Sequence, residues 1–108
     1  MADLNRINLI GNVGQEPEYK YFESGAYITT FSLAVKRYDS KTKEDITDWF
    51  KIKTFSKLGE YVKQGIRLAV DGKLQTDSWE TEEGEKKKST YVFADFIQIL
   101  TPKEKNED

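Results

Sequence analysis

The sequence contains no cysteine and no histidine among its 108 residues. Without cysteine the chain forms no disulfide, and without either residue it cannot build a zinc site of the Cys/His type. The same two absences exclude Ser-His-Asp and Cys-His nucleophile arrangements and acid–base catalysis by histidine. We therefore expect neither an enzyme nor a bound cofactor. A chain of this length can bury enough surface to fold as one domain without a metal.

Long apolar runs and an excess of positive charge are also missing. The apolar runs are far shorter than the roughly 20 residues that cross a membrane, and the N-terminus lacks the apolar stretch of a signal peptide. We expect a cytoplasmic, nucleoid-associated protein, with the interior of a plastid or mitochondrion as the alternative, and no membrane partner. Seventeen basic and nineteen acidic residues give a net charge of −2. Any surface that binds nucleic acid must therefore concentrate basic residues on one part of the protein, with the acidic residues placed elsewhere.

Most of the chain shows the alternation of apolar and polar residues that is typical of strands. We predict strands over residues 4–13, 19–22, 27–37, 48–55, 66–77 and 90–100, a charged loop over 38–47, a helix over 56–64, and a hairpin arm over 78–89. This order favours an all-β OB-fold, a five-stranded, partly open Greek-key barrel with one short helix between its third and fourth strands. Other small β-barrels stay open. We expect the domain to span residues 1–101 and a short charged, flexible tail to follow over 102–108.

The third predicted barrel strand, residues 48–55, is the most informative about function. Alternate residues of a strand point to opposite sides, and they are Phe50, Ile52 and Thr54 on one face and Trp49, Lys51, Lys53 and Phe55 on the other. Because lysines are rarely buried without partners, the face with the lysines is the outer one, and it exposes Trp49 and Phe55. Exposed rings stack on unpaired bases, and cations beside them hold phosphates. A subunit interface is the competing interpretation, since it also uses exposed aromatics.

Other aromatic and basic residues extend this candidate surface. They are Lys36, Arg37 and Tyr38 at the end of the second barrel strand, Lys73 on the fourth, and Trp79 at the start of the hairpin arm. Lys73 points outward if Leu68, Val70 and Leu74 point inward. The lysine run at 86–88 faces several glutamates of the same arm, which favours a solvated arm with internal charge pairing.

Several segments resemble a known family. Residues 7–21, INLIGNVGQEPEYKY, resemble the opening of bacterial and organellar single-stranded DNA-binding proteins. Similar landmarks follow in the family's order: FSLAV at 31–35, TDWF at 47–50, FSKL at 55–58, GKL at 72–74, and Trp79. The resemblance covers residues 4–100, and it is specific because the motifs occur together.

The resemblance implies an OB-fold that assembles as a homotetramer and binds single-stranded DNA without catalysis. By family position, the base-stacking aromatics fall on Trp49, Phe55 and Trp79. Tyr38 occupies a place where many members have tryptophan, so it should stack with less area. Lys57 matches a basic position, and Arg6 falls where relatives carry a basic residue near the path of the DNA.

We therefore predict sequence-independent binding and protection of single-stranded DNA in replication, recombination and repair. The predicted base-stacking residues are Tyr38, Trp49, Phe55 and Trp79. The predicted phosphate contacts come from Arg6, Lys36, Arg37, Lys51, Lys53, Lys57 and Lys73. An RNA-binding module of the same fold and an interaction-only OB-fold subunit stay open as alternatives.

The C-terminus departs from the typical bacterial pattern. Members of the family commonly continue into a linker rich in Gly, Pro and Gln, and they end in an acidic tip that recruits replication and repair enzymes. This sequence ends at Asp108 without that pattern, which places recruitment through such a tip in doubt. A shortened chain, an organelle-type protein and a short paralogue are all compatible with it.

Overall fold

The computed structural model describes residues 3–101, which form strands and one very short helix. The strands are β1 (Ile7–Val13), β2 (Glu18–Tyr21), β3 (Tyr27–Asp39), β4 (Glu44–Phe55), β5 (Arg67–Glu80) and β6 (Lys86–Ile99), and helix α1 (Ser56–Gly59) lies between β4 and β5. The tail predicted at 102–108 lies outside the described residues. Within 3–101, no helix is long and apolar enough to cross a membrane.

Five of the strands close into a barrel in the order β1-β5-β6-β4-β3, with β3 returning to β1. All neighbours are antiparallel except β4 and β6, which run parallel and pair Ile52 with Val92 and Lys53 with Phe93. The four-residue β2 pairs with β3 alone, on its edge. Counted without β2, the barrel has five strands and a helix between the third and the fourth. This is the predicted OB-fold order.

The core is built from alternate residues of the barrel strands and one residue from the segment after α1. Its buried members are Val13, Phe31, Leu33, Ile52, Val62, Leu68, Val70, Val92 and Ala94. The inward direction predicted for Leu68 and Val70 is confirmed. Leu74 shares their face, because it pairs with Val92, but its side chain is exposed. The pairing of β1 with β5 stops at Gly72, so β1 does not cover Leu74. The predicted inward direction of Leu74 is therefore confirmed, although Leu74 lies beyond the covered part of the core.

The hairpin between β3 and β4 is longer than predicted. Residues 38–47 were expected to form a loop, but the two strands stay paired out to Asp39 and Glu44. In the turn, Lys43 has a φ of 59°, and the Asp39 carboxylate accepts a hydrogen bond from the Lys41 N–H at 3.0 Å. The loop prediction is wrong because both faces of this projecting ribbon are polar, and the alternation that identifies a half-buried strand is missing.

Helix α1 is shorter than predicted. The expected helix over 56–64 ends at Gly59, where a Cβ atom would overlap the side chain of the buried Thr29. The chain then turns, and the Val62 N–H donates to the Gly59 carbonyl at 3.2 Å. This turn places Val62 in the core. Tyr61, which shares the apolar spacing that predicted the longer helix, is exposed. The low helix propensity of glycine ends the helix early.

Replacing Leu33 by alanine tests the core. Leu33 is fully buried, so Leu33→Ala should lower the free energy of unfolding by about 2–5 kcal/mol, measured by urea denaturation. Leu4→Ala is the matched control, because Leu4 is exposed, and its effect should stay within about 0.5 kcal/mol. Equal losses in the two variants would contradict the assigned core.

Candidate functional site

The outward residues of β3, β4, β5 and β6 form one continuous surface, here called the aromatic–basic face. Residues that pair across neighbouring strands lie on the same side of a sheet. The register pairs Ala34 with Trp49, Lys53 with Phe93, and Lys73 with Phe93. The face comprises Lys36 and Tyr38 on β3, Trp49, Lys51, Lys53 and Phe55 on β4, Lys73, Gln75, Asp77 and Trp79 on β5, and Lys87, Ser89, Tyr91 and Phe93 on β6.

The orientation predicted for β4 is confirmed. Ile52 and Thr54 are fully buried, whereas Trp49 and Phe55 are 60% and 57% exposed. The buried Thr54 hydroxyl donates to the carbonyl of Ala94 at 3.1 Å, so this polar group on the inner side of β4 has a partner. The inner side of β4 is thus fixed by the core. Its outer side is free to present rings and cations.

Trp49 rests on the backbone of Gly14, which follows β1. A Cβ atom on Gly14 would overlap the six-membered ring of the indole, so the close approach requires glycine at this position. Gly14 is itself held in place, because its N–H donates to the carbonyl of Ser32 at 2.9 Å. One side of the indole is therefore supported, while much of the ring stays exposed.

Phe55 is supported in a similar way by a ring that the sequence analysis missed. The centroids of Phe55 and Phe93 lie 5.1 Å apart at an interplanar angle of 71°, an edge-to-face contact. The Lys73 ammonium lies 6.0 Å from the centroid of Phe93, at the outer limit of a cation–π contact. The outward direction predicted for Lys73 is confirmed by its pairing with Phe93.

Phe93 and Tyr91 could have been found from the sequence. They alternate with Val92 and Ala94, which are buried, so a period of two places both rings outward. A bulge hides this pattern. Asp71 pairs with Phe96 while Gly72 pairs with Ala94, and the extra residue on β6 reverses the alternation beyond it.

Lys53 lies on the face, but its ammonium group already has partners. Lys53 Nζ is 3.0 Å from Asp77 Oδ2 and 4.4 Å from the centroid of the Tyr91 ring. The Tyr91 hydroxyl in turn donates to Gln75 Oε1 at 2.9 Å. Because β6 lies between β4 and β5, the Lys53 side chain crosses the outer surface of β6. Its side chain is only 22% exposed.

The arm formed by the ends of β5 and β6 carries Trp79. This ring is 48% exposed, pairs across the arm with Lys87, and borders a shallow groove together with Lys86 and Lys88. Lys87 Nζ lies 3.7 Å from the carboxylate of Glu85, in agreement with the internal pairing predicted for the arm. The arm therefore adds a large ring to the face, with its positive charge partly balanced.

The predicted residues of the other hairpin also lie on this face. Tyr38 and Lys36 are exposed on β3 and pair across the hairpin with Asp45 and Thr47. Lys51 is exposed in the middle of β4. The four predicted stacking rings and the four lysines of the strands thus share one side of the sheet.

Three predicted cations are placed differently. Arg37 lies between Lys36 and Tyr38 on β3 and so points to the opposite side, where its Nε bonds Asp48 Oδ2 at 2.8 Å. Arg6 precedes β1, and its guanidinium contacts two carboxylates, at 2.6 and 3.1 Å; these belong to Asp71 and Asp95. Lys57 is exposed on α1, outside the strands that form the face. The structure does not bring Arg37 or Lys57 together with the predicted rings.

A second aromatic cluster lies on the inward side of β2 and β3. The ring of Tyr27 contacts those of Tyr19 and Tyr21, with centroids 5.6 and 5.2 Å apart. Burial raises the pKa of the Tyr27 hydroxyl, and the nearby Glu60 carboxylate and the two tyrosines raise it further. Because its pKa is raised, Tyr27 stays neutral to a higher pH than a free tyrosine.

The aromatic–basic face is suited to binding a nucleic acid. Within residues 3–101, no group of three or more His, Cys, Asp or Glu side chains is placed to hold a metal ion. The face presents flat rings beside ammonium groups. Such rings stack on unpaired bases, and such cations contact the phosphates that run beside them.

Comparison with known proteins agrees with this geometry. The sequence model of the single-strand binding protein family matches residues 4–100. The chain is 35% identical to single-stranded DNA-binding protein 1 of Xylella fastidiosa (strain 9a5c), over 98% of this chain and 84% of the relative. It is 37% identical to the single-stranded DNA-binding protein of Thermotoga maritima, over 95% of this chain and 78% of that protein.

A solved structure shows the same fold. The Plasmodium falciparum SSB in complex with ssDNA superimposes with a TM-score of 0.79 at 31% identity. The superposition covers 93% of this chain and 97% of that protein. The OB-fold prediction is thereby confirmed. Sequence and fold lead to the same conclusion: this chain belongs to the single-strand binding protein family.

Proposed function

We propose that the protein binds single-stranded DNA without regard to its sequence and protects it during replication, recombination and repair. The observation that carries the proposal is the aromatic–basic face, where Trp49, Phe55 and Trp79 are exposed among lysines. Stacking uses the flat surface that every base has, so it tolerates any sequence. As a member of this family, the protein acts by binding and not as an enzyme.

The proposed stacking residues are Trp49, Phe55, Trp79 and Tyr38. Each base that stacks on such a ring contributes about 1–3 kcal/mol. Trp49 is supported by Gly14 and Phe55 by Phe93, so both rings are held in position before a base arrives. Because less side-chain freedom is lost on binding, this support favours affinity.

The proposed phosphate contacts are Lys36, Lys51 and Lys73, which lie on the same side of the sheet as the rings. Each phosphate that a lysine neutralises releases counterions, so affinity should fall as the salt concentration rises. Lys53 is also proposed to contact phosphate, once it leaves Asp77. Arg6, Arg37 and Lys57 stay predictions from the sequence, and the proposed site does not depend on them.

The decisive experiment compares single-stranded and duplex DNA of equal length over a salt series. We expect the single strand to bind more tightly at every salt concentration, with quenching of tryptophan emission on addition of oligo-dT. Preference for duplex DNA would overturn the proposal. A clear preference for a matched RNA oligonucleotide would favour the RNA-binding alternative, and indifference to both would favour an interaction-only subunit.

We also propose that the protein assembles as a homotetramer. A separate patch on the outward side of β1, β5 and β6 exposes Ile10 and Phe96, which line a groove together with Ala69. Exposed apolar patches rimmed by polar residues are typical of interaction sites, and a second copy of the chain would cover this one. The patch is distinct from the aromatic–basic face, so assembly would leave that face available.

The proposed place of action is wherever single-stranded DNA forms during replication and repair. For a bacterial protein this is the nucleoid in the cytoplasm, and for an organellar one it is the organelle interior. The relatives named above come from bacteria, and the structural neighbour comes from Plasmodium falciparum. Recruitment of partner enzymes through a C-terminal tip is not part of the proposal.

Removal of the Trp79 ring should weaken binding of oligo-dT. Loss of one stacked base, about 1–3 kcal/mol, corresponds to a roughly 5- to 140-fold higher Kd in a fluorescence anisotropy titration of Trp79→Ala. Tyr21→Ala is the control, because Tyr21 is exposed on the other side of the sheet. Normal binding by folded Trp79→Ala would remove this residue from the site.

Gly14→Ala should weaken binding through Trp49. The added methyl group overlaps the indole and must displace it, so the Kd for oligo-dT should rise toward the value of Trp49→Ala. In a double-mutant cycle, Gly14→Ala should add little to Trp49→Ala, because the displaced ring is already gone. Additive effects in folded variants would show that Gly14 does not act by supporting Trp49.

A charge on the apolar patch should reduce the oligomeric state. Phe96 is 56% exposed, and Phe96→Glu would place a carboxylate inside the proposed interface at a desolvation cost. We expect the wild type to have a tetramer mass in light scattering after gel filtration, and Phe96→Glu a smaller one. Tyr61→Glu, at an exposed ring outside the patch, should leave the mass unchanged. A monomeric wild type would contradict the proposal.

A further inference from the structure

Asp77 places a carboxylate on the aromatic–basic face, where a polyanion is proposed to bind. Its Oδ2 holds the Lys53 ammonium at 3.0 Å. We propose that Asp77 is a positioning residue that keeps Lys53 over the Tyr91 ring and so competes with the DNA backbone for this lysine. The inference rests on the proposed function, because it concerns how tightly the same face binds single-stranded DNA.

The ion pair of Lys53 and Asp77 covers the Tyr91 ring, and it also neutralises the charge of Lys53. Lys53 starts on β4 and Asp77 on β5, so the bridge between them spans β6. The ammonium group lies 4.4 Å from the centroid of Tyr91, within the range of a cation–π contact. A base cannot stack on that side of the Tyr91 ring while the lysine is there.

Binding of DNA at Lys53 or Tyr91 therefore requires the ion pair between Lys53 and Asp77 to open. A phosphate that takes Lys53 must displace the Asp77 carboxylate, and a base that takes Tyr91 must displace the Lys53 ammonium. The Asp77 side chain is 48% exposed, and an ion pair in contact with water is weak enough for a polyanion to compete with it. Once the pair opens, the free carboxylate still repels the phosphates nearby.

The chain contains a matched pair of charges for comparison. Arg37 and Asp48 form a bridge of similar length, 2.8 Å, between the neighbouring strands β3 and β4. That bridge lies on the opposite side of β3 and β4, away from the proposed DNA path. Asp48→Asn and Asp77→Asn each remove one negative charge and one ion pair, and they differ in the face that they affect.

The test is a titration of oligo-dT into the wild type, Asp77→Asn and Asp48→Asn over a salt series. We expect Asp77→Asn to bind about three- to ten-fold more tightly than the wild type at low salt. Because Lys53 contacts phosphate in both bound proteins, the slope of log K against log salt should change little between the wild type and Asp77→Asn. Asp48→Asn should follow the wild type in both respects.

A spectroscopic measurement follows the lysine itself. Lys53 Nζ lies 4.4 Å from the centroid of the Tyr91 ring in the free protein, so the NMR signals of the adjacent ε-methylene protons should be shifted upfield by the ring current. Saturation with oligo-dT should remove this shift in the wild type. Asp77→Asn should show a smaller shift even without DNA, whereas Asp48→Asn should show the full shift. A shift that persists in the bound wild type would overturn the proposal.

The two proposals fail in different ways. A wild type that does not bind single-stranded DNA would contradict the proposed function. A wild type that binds, with Asp77→Asn equal to Asp48→Asn or weaker than the wild type, would overturn the role of Asp77 and leave the function intact. If thermal melting shows that Asp77→Asn is unfolded, Asp77→Ser removes the same carboxylate with a smaller side chain and decides the question.

Discussion

The short parallel contact between β4 and β6 is the constraint on which both the core and the candidate site depend. On the inner side it buries Ile52 against Val92, and on the outer side it sets Lys53 beside Phe93. Alternation along a strand couples the two sides, because a shift by one residue would exchange them. The apolar side chains that close the barrel therefore also fix which rings and lysines face a ligand. The hydrogen bond from Thr54 to Ala94 reinforces the same register.

Local placement of charge reconciles an acidic protein with a polyanionic ligand. The net charge is −2 and the isoelectric point is about 5.3, yet lysines line one side of the sheet. Three of the carboxylates pair with arginines: Asp48 bonds Arg37 on the opposite side, and Asp71 and Asp95 bond Arg6. At physiological ionic strength the Debye length is about 8 Å. A DNA strand bound on the aromatic–basic face is therefore attracted by the nearby lysines more than it is repelled by the net charge of the protein.

The sequence predicts the part of the site that a half-buried strand encodes. The orientation of Trp49 and Phe55 follows from alternation in β4, because one side of that strand is apolar and the other contains lysines. Tyr91 and Phe93 were missed because the bulge after Ala94 reverses the pattern on β6. The pairing of Lys53 with Asp77 could not be predicted, since it joins strands separated by a third. The low helix propensity of Gly59 is visible in the sequence, but the contact with Thr29 that requires glycine at this position is not.

Indifference to sequence follows from the kinds of group that the face offers. Rings stack on the surface common to all bases, and ammonium groups contact the phosphates common to all nucleotides. Reading a base would need a donor or acceptor aimed at its edge. Gln75 is a side chain of the face with that capacity, but its carbonyl oxygen already accepts the hydrogen bond from the Tyr91 hydroxyl. The contact that fixes the Tyr91 ring thus also occupies one of the two lone pairs of this oxygen and orients the amide toward Tyr91.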